Sequence, residues 1–384
     1  MGILEVVIHN LLLDPDLSIL PEDAENLLVY GSNLPVISTL APEIEGKVTC
    51  IYLDPPYNTA EKFAHYKDQT ERNTWLSAMG DLAKCLWPLL RPEGSLWVSI
   101  DDHEMAHLRV LLDNVLGQKN FVAQNVWQKR CTRENRAAIG DSHEYVLVYA
   151  KDPACFKRYR NKLGLSAHQK KIYTNPNNDP RGPWRTCAMT AQAGHATPSQ
   201  FYEIVSPSGR VHRPPPGRCW GLSQKTFENL QAEGRIYFGK DGNAQPRYLR
   251  FLSEVEGVVP WTWWPHEEVG TTREAKKEVH ALFGREDAFE TPKPERLLHR
   301  IISIATRPGD LVLDPFAGTG TTGAVAHKME RRWLMIEQGE HCRSLIVNRL
   351  RKVIHGEDTG GVTTSCQWQG GGSFQFLRLI TPQT

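Results

Sequence analysis

The sequence predicts an α/β protein, with a parallel sheet flanked by helices and interrupted by an inserted module. Three observations predict it. Two stretches alternate short apolar runs with longer runs of helical period. A glycine-rich turn joins a strand to a helix in the second stretch. Between the stretches the alternation stops, and proline, glycine, asparagine and tryptophan take over.

In the first stretch "VTCIYL", "GSLWVSI" and "EYVLVYA" read as strands, and "WLSAMGDLAKCLWPLL" and "EMAHLRVLLDNVL" as helices. In the second, "DLVLD" and "RWLMIE" read as strands. "PERLLHRIISIAT", "TTGAVAHKMER" and "HCRSLIVNRLRKVI" read as helices. Strands that alternate with helices imply a parallel sheet with helices on its faces. The expected division is a first half over 1–151, a module over 152–265, a second half over 266–355 and a Gly-rich tail over 356–384. The module carries "YTNPNNDPRGPW", "SPSGRVHRPPPGRCW" and "VPWTWWPH", and reads as short strands and long loops. Its tryptophans, Trp184, Trp220, Trp261, Trp263 and Trp264, call for packing partners. The tail ends in apolar residues that suggest an edge strand.

Composition bounds the class. A chain of 384 residues with 40% hydrophobic and 23% charged residues can bury a large core. Its net charge of +1 gives no global field for a polyanion, so any basic surface is local. No run reaches the roughly 18 apolar residues of a membrane span. The N-terminus has no basic region ahead of its apolar run and does not read as a signal peptide. Eight scattered cysteines without a C-x-x-C pair suggest reduced thiols and a cytoplasmic location.

Two strand ends carry chemistry. "IYLDPPYNT" closes a buried strand with Asp54, Pro55, Pro56 and Tyr57. Two prolines fix φ and remove two donors, so the loop is stiff and holds a carboxylate and an aromatic ring at the strand tip. A simple turn capped by a tyrosine is the structural alternative. "LVLDPFAGTGTTGAVAHKMERRWLMIE" supplies the second end. Gly318, Gly320 and Gly323 fit G-x-G-x-x-G between a strand and a helix, and Glu337 lies 19 residues beyond Gly318. That pattern suits a nucleoside-containing cofactor, with the acid on ribose hydroxyls. A nicotinamide enzyme is one rival, but hydride transfer leaves the Asp54 loop without a task. "SHEYVLVYAK" contains His143-Glu144 without a second histidine at zinc spacing, so no metal site is expected.

Together "DPPY" and "DPFAGTGTT" resemble the amino-group DNA methyltransferases. Their order, with the first ahead of the second and a long module between, resembles the circularly permuted β group. "VSIDDHE", "HEYVLVYAK", "NDPRGPW", "EEVGTTREAKKE" and "TPKPERLLHRII" further resemble the modification subunits of type III restriction systems and their solitary relatives. The resemblance implies a Rossmann-like methyltransferase fold whose inserted 152–265 module recognises the target, and methyl transfer from S-adenosylmethionine to the N6 amine of adenine in double-stranded DNA. Asp54, Pro55, Pro56 and Tyr57 become catalytic, with Asp54 and the Pro55 carbonyl accepting from the amine. Asp314, Phe316, Ala317, Gly318, Thr319, Gly320 and Glu337 become cofactor contacts. Gly31 and Asn33 of "LLVYGSNL", and Lys293 of "TPKPERLL" against the cofactor carboxylate, join them. Cytosine-N4 methylation, or methylation of RNA or of a protein amide, is the alternative. A homodimer is implied, with a restriction subunit as a possible partner.

The DNA-facing side is expected in the basic run that opens the module. Residues 151–185 hold nine Lys or Arg against two Asp, with Phe156, Tyr159, Tyr173 and Trp184 interleaved. Lys129, Arg130, Arg133 and Arg136 lie just upstream. Basic residues with aromatics suit phosphate contact and stacking. Lys129, Arg130, Lys170, Lys171 and Arg181 are the named candidates; a solvated charged face is the alternative.

Overall fold

The computed structural model describes residues 10–19, 25–59, 69–133, 138–284 and 291–380. The chain divides into two compact units, one formed by 1–161 with 260–384 and the other by Lys162–Val259.

The first unit is built on one ten-stranded sheet. Its strands are β1 (Leu11–Leu13), β2 (Leu27–Tyr30), β3 (Val48–Leu53), β4 (Leu90–Ile100), β5 (Phe121–Gln128), β6 (His143–Ala150), β7 (Trp263–Trp264), β8 (Leu311–Asp314), β9 (Arg332–Glu337) and β10 (Gln375–Leu379). Their spatial order is β1-β10-β2-β9-β8-β3-β4-β6-β5-β7. From β10 to β4 every pair is parallel. All six residues of β3 and all four of β8 are buried, because helices cover both faces of a parallel sheet. Leu313 of β8 stands opposite Ile51 of β3, so the two strands end side by side. This register brings the Asp54 loop beside the glycine loop. In open α/β sheets ligands bind outside the carboxyl ends of the strands.

The sheet is not wholly parallel, as the helix–strand alternation implied. β6 runs antiparallel to β4 and to β5. β5 follows a helical turn directly and returns as a hairpin partner, so no crossover helix is needed. The tail is not an edge either. β10 lies between β2, which it parallels, and β1, which it opposes, and Phe376 and Leu377 are buried there.

The module begins later than its composition suggests. The helix Pro153–Tyr159 belongs to the first unit; Asp152 caps it through Ala154 N and Cys155 N, and its Phe156 is buried edge-on against Trp97. At the far end, β7 pairs with β5 rather than with the module, and Trp264 stacks on Trp97. Trp263 and Trp261 are 45% and 57% exposed, so they do not find the packing expected of them.

The second unit has three small sheets. The largest joins Trp184–Ala188, Arg247–Phe251 and Ile236–Tyr237. Met189, Ile204, Trp220, Phe227 and Phe238 form one core, and Trp184, Leu249 and Phe251 another.

Candidate active site

At the end of β3 the chain leaves the sheet through Asp54-Pro55-Pro56-Tyr57, and secondary structure stops there as two successive prolines require. The loop is pinned from below. Trp75 donates its indole N–H to the Pro56 carbonyl at 2.8 Å. Asn58, at φ 60, donates to Glu104 at 2.9 Å, and Arg72 closes on the same buried carboxylate at 2.9 and 3.0 Å. Asn tolerates this left-handed backbone better than most residues, which explains the residue after the tyrosine.

Above the loop lies a dense set of charges. The Lys293 ammonium is 2.8 Å from both Asp54 carboxylate oxygens and 5.0 Å from the centre of the Tyr57 ring. The Tyr57 hydroxyl is 3.0 Å from Asp54 Oδ1 and 3.0 Å from Glu144 Oε2. Glu144 in turn lies 3.4 Å from Lys129 and 3.8 Å from Lys293. Burial pushes the Asp54 carboxyl above the usual range; Lys293 opposes this and Glu144 adds to it. Burial, with Asp54 and Glu144 nearby, drives the Tyr57 phenol well above its ordinary value, so it keeps its proton and works as a donor.

The glycine loop stands across the same cavity. Gly318 and Gly320 adopt φ 53 and 72, the left-handed region that suits glycine. A Cβ on Gly320 would meet Ile346 Cγ2 at 2.7 Å. The loop opens onto the buried helix Thr321–Lys328. Asp314 holds the turn, accepting from Phe316 N and from the Thr322 hydroxyl, and burial pushes its carboxyl up to about 7. Glu337, at the end of β9, accepts from Gly318 N at 2.9 Å and Gly339 N at 2.8 Å. Burial alone would raise its carboxyl, but His341 and these two N–H groups outweigh it and hold it low. Each carboxylate oxygen has two acceptor sites, so Glu337 can accept further hydrogen bonds.

The cavity between the two loops has a volume of about 600 Å³. It is lined by the catalytic candidates Asp54 to Tyr57, by Asp314 and by Phe316 to Thr319. Glu337, Lys293, Gly31 and Asn33 also line it. Gly31 is needed for close packing, since a Cβ there would meet Leu379 Cβ at 2.8 Å. Gly320 lies behind the wall as the cap of the helix. Among the described residues no group of three or more His, Cys, Asp or Glu is placed to hold a metal.

Lys293, expected against the cofactor carboxylate, lines the cavity with its ammonium on Asp54. Two basic candidates also change character. Lys129 is buried and pairs with Asp141 at 2.7 Å as well as with Glu144, because it lies inside the cavity wall rather than on a phosphate-facing surface. Arg181 is forked onto Asp179 at 2.8 and 2.9 Å and lies 4.4 Å from the centre of the Phe251 ring, so its guanidinium is spent within its own unit. The interleaved aromatics are packing elements. Phe156, Tyr173 and Trp184 are buried, and Tyr159 donates to Asp310 at 2.6 Å. The run is divided between the two units at Asn161. Arg130, Arg133, Lys170 and Lys171 are exposed, and Arg136 lies outside the described residues.

Sequence reasoning missed Glu144 as a site residue. Its signal was present in "SHEYVLVYAK", but a single acid at a strand start has no chemistry until its neighbours are known. It likewise missed Asp141, Asp101 and His341, all of which line the cavity.

An open sheet with these two loops at adjacent strand tips is the architecture of a Rossmann-like methyltransferase. A family model described as DNA methylase matches residues 48–348, and the chain belongs to that family. It is 43% identical over 329 residues to the DNA adenine methyltransferase YhdJ of Escherichia coli K12, covering 85% of this chain and 83% of that one. It is 31% identical over 330 residues to the type III restriction-modification enzyme StyLTI Mod subunit of Salmonella typhimurium, covering 78% of this chain. The chain spans about half of that subunit, 49% of its length. The type II methyltransferase M.KpnI of Klebsiella pneumoniae is 28% identical over 338 residues, covering 80% of this chain and 78% of that one.

Proposed function

We propose that the chain transfers a methyl group from S-adenosylmethionine to the N6 amine of adenine in double-stranded DNA. What carries this reading is that Asp54 and Glu337, one an acceptor for an amine and the other for a ribose, face a single cavity from strands of one parallel run. The name of the adenine methyltransferase relative favours adenine over cytosine.

S-adenosylmethionine supplies an electrophilic methyl on a sulfonium. The residues present fit it. Gly318 and Gly320 give the turn the left-handed backbone that brings its main chain to the cavity, the helix behind offers N–H groups, and Glu337 has acceptor sites to spare. Phe316, Ala317 and Thr319 complete the wall, and Gly31 and Asn33 face it from the end of β2. Asp54 accepts from the adenine amine. That draws electron density onto a nitrogen whose lone pair is otherwise delocalised into the ring. Pro55 and Pro56 keep the acceptor from reorganising, and Tyr57 gives the base a face to stack on. The base has to leave the duplex to reach this cavity, at a cost of a few kcal/mol.

Arg130, Lys170 and Lys171 are the exposed cations we assign to DNA phosphates. We assign base reading to the 162–259 unit, and take the enzyme to be a homodimer that methylates without a restriction subunit. Among the described residues no helix is long and apolar enough to cross a membrane, and we place the enzyme in the cytoplasm with its DNA.

The purified chain should convert adenine in unmethylated genomic DNA to N6-methyladenine when given S-adenosylmethionine alone, read by mass spectrometry of digested nucleosides. N4-methylcytosine instead would move the substrate to cytosine. Label in RNA or protein but not DNA, or no product without an added subunit, would overturn the reading. Light scattering of the same preparation, with and without DNA, reads the dimer.

Glu337→Ala is expected to weaken S-adenosylmethionine binding by roughly 10- to 100-fold, as hydrogen bonds to a charged acceptor are worth about 1.5–3 kcal/mol. Calorimetry checks it; an unchanged affinity would remove Glu337 from the ribose.

A further inference from the structure

We infer that Glu144 is the acceptor that carries away the proton shed by the target amine, receiving it from Asp54 through the Tyr57 hydroxyl. This rests on the methyl-transfer reading above and assigns a role to a residue which that reading leaves unused.

The geometry is that of a relay. The Tyr57 hydroxyl oxygen is equidistant, at 3.0 Å, from Asp54 Oδ1 and Glu144 Oε2. A phenol has one proton to donate. When it donates to one carboxylate, its lone pairs face the other, which can be a partner only if protonated. The single phenol proton can therefore be given to either carboxylate, which is the position a relay oxygen needs. Glu144 is buried at the start of β6, where an unpaired carboxylate would be costly. It is kept there by cations on two sides, Lys129 at 3.4 Å and Lys293 at 3.8 Å. Neither cation needs Glu144 for its own sake. Lys129 is closer to Asp141, and Lys293 is closer to Asp54. Lys129 leads outward to Asp141, whose side chain is 52% exposed. The chain of contacts thus runs from the reacting centre to solvent. Asp101 beyond β4 and Tyr52 on β3 also feel the Glu144 charge.

The atoms balance as follows. The amine nitrogen bonds to the methyl carbon as the carbon–sulfur bond breaks, and that bond's electron pair stays on sulfur. Nitrogen then carries two hydrogens and a positive charge. One N–H bond breaks, its pair returns to nitrogen and its proton goes to Asp54. Asp54 passes a proton to the Tyr57 oxygen while Tyr57 gives its own to Glu144. Tyr57 ends unchanged and Asp54 is again an acceptor. Glu144 is neutral until it releases the proton to water beside Asp141. No oxidant or further reactant is required.

In this relay Glu144 acts through Tyr57, so it is a positioning and proton-accepting residue. Glu144→Gln in the full chain is expected to lower kcat by about 100-fold, at the lower end of proton-transfer contributions. Affinity for S-adenosylmethionine should stay within about twofold by calorimetry. The Glu144 charge raises the Asp54 carboxyl, so removing it should move the acid limb of the kcat profile to lower pH. Glu144→Asp should recover part of the rate. Carbon-13 NMR titration of the Asp54 carboxyl in the resting protein should show the same downward shift without any turnover. The inference is overturned if Glu144→Gln keeps kcat within about threefold with an unmoved acid limb. It is also overturned if cofactor affinity falls in step with kcat, which would mark a merely structural role. If the parent chain methylates no DNA, the reading under the previous heading fails first. The NMR arm still decides the coupling, and an unmoved Asp54 midpoint sinks it.

Discussion

Asp54→Ala is expected to lower single-turnover methyl transfer by roughly 10³-fold or more while leaving S-adenosylmethionine binding within a few-fold. Loss of one preorganised group at a reacting centre costs about 10²–10³ in rate. Here the loss has a second part. Lys293 sits 2.8 Å from both Asp54 oxygens. Without the carboxylate its positive charge faces a nitrogen that becomes positive as the methyl arrives. Glu144, 3.8 Å from Lys293, offsets this only in part. Cofactor binding should survive, because the glycine loop is held by Asp314, Glu337 and Arg349 and not by Asp54. Rapid-quench transfer of labelled methyl and calorimetry of the same variant separate the two. Transfer within about tenfold of the parent would take Asp54 out of the chemistry.

Glu295→Ala is expected to destabilise the first unit by about 3–5 kcal/mol, the usual result of removing one partner from a buried ion pair. Glu295 is 1% exposed and binds Lys328 at 2.8 and 3.0 Å, Arg349 at 2.9 Å and Val362 N at 2.9 Å. Lys328 would keep Asp358 at 2.7 Å. Among the described residues Arg349, wholly buried, would keep as hydrogen-bond acceptors only the Thr319 carbonyl and the hydroxyls of Thr319 and Thr321, with the Glu278 carboxyl as its nearby acid. Its other nitrogen would then be free to pull the guanidinium away from the glycine loop. The urea midpoint should fall, and cofactor affinity should fall with it. A loss below about 1 kcal/mol would mean that relaxation or water replaces the carboxylate.

The site's two strand tips were legible because their chemistry is local. Two prolines after Asp54 end a strand wherever they occur, and a glycine turn between strand and helix announces itself. What sequence could not give was pairing across distance. Lys129 sits in a basic run, yet Asp141, just ahead of β6, and Glu144 within it neutralise it. Arg181 has its partner Asp179 only two residues away, and a net charge over the run does not reveal an i to i+2 pair. β5 escaped because its two fully buried positions are Asn125 and Trp127, which do not make an apolar run. β10 was seen but set at the edge, since nothing local says that β1 will close over it. The Glu295 network was invisible for a similar reason: its members come from three separate helices and the tail.

The position of β2 has a consequence for synthesis on the ribosome. Its Leu27, Leu28 and Val29 are nearly or wholly inaccessible to solvent, and its two neighbours are β9 and β10. Both are translated long after it, at 332–337 and 375–379. This apolar segment therefore waits, once made, until those distant strands emerge to cover it. Loop closure over so many residues slows assembly, and an uncovered strand can pair wrongly with other chains meanwhile. For this topology the nascent polypeptide, rather than the finished enzyme, is the form most exposed to aggregation and most dependent on chaperones.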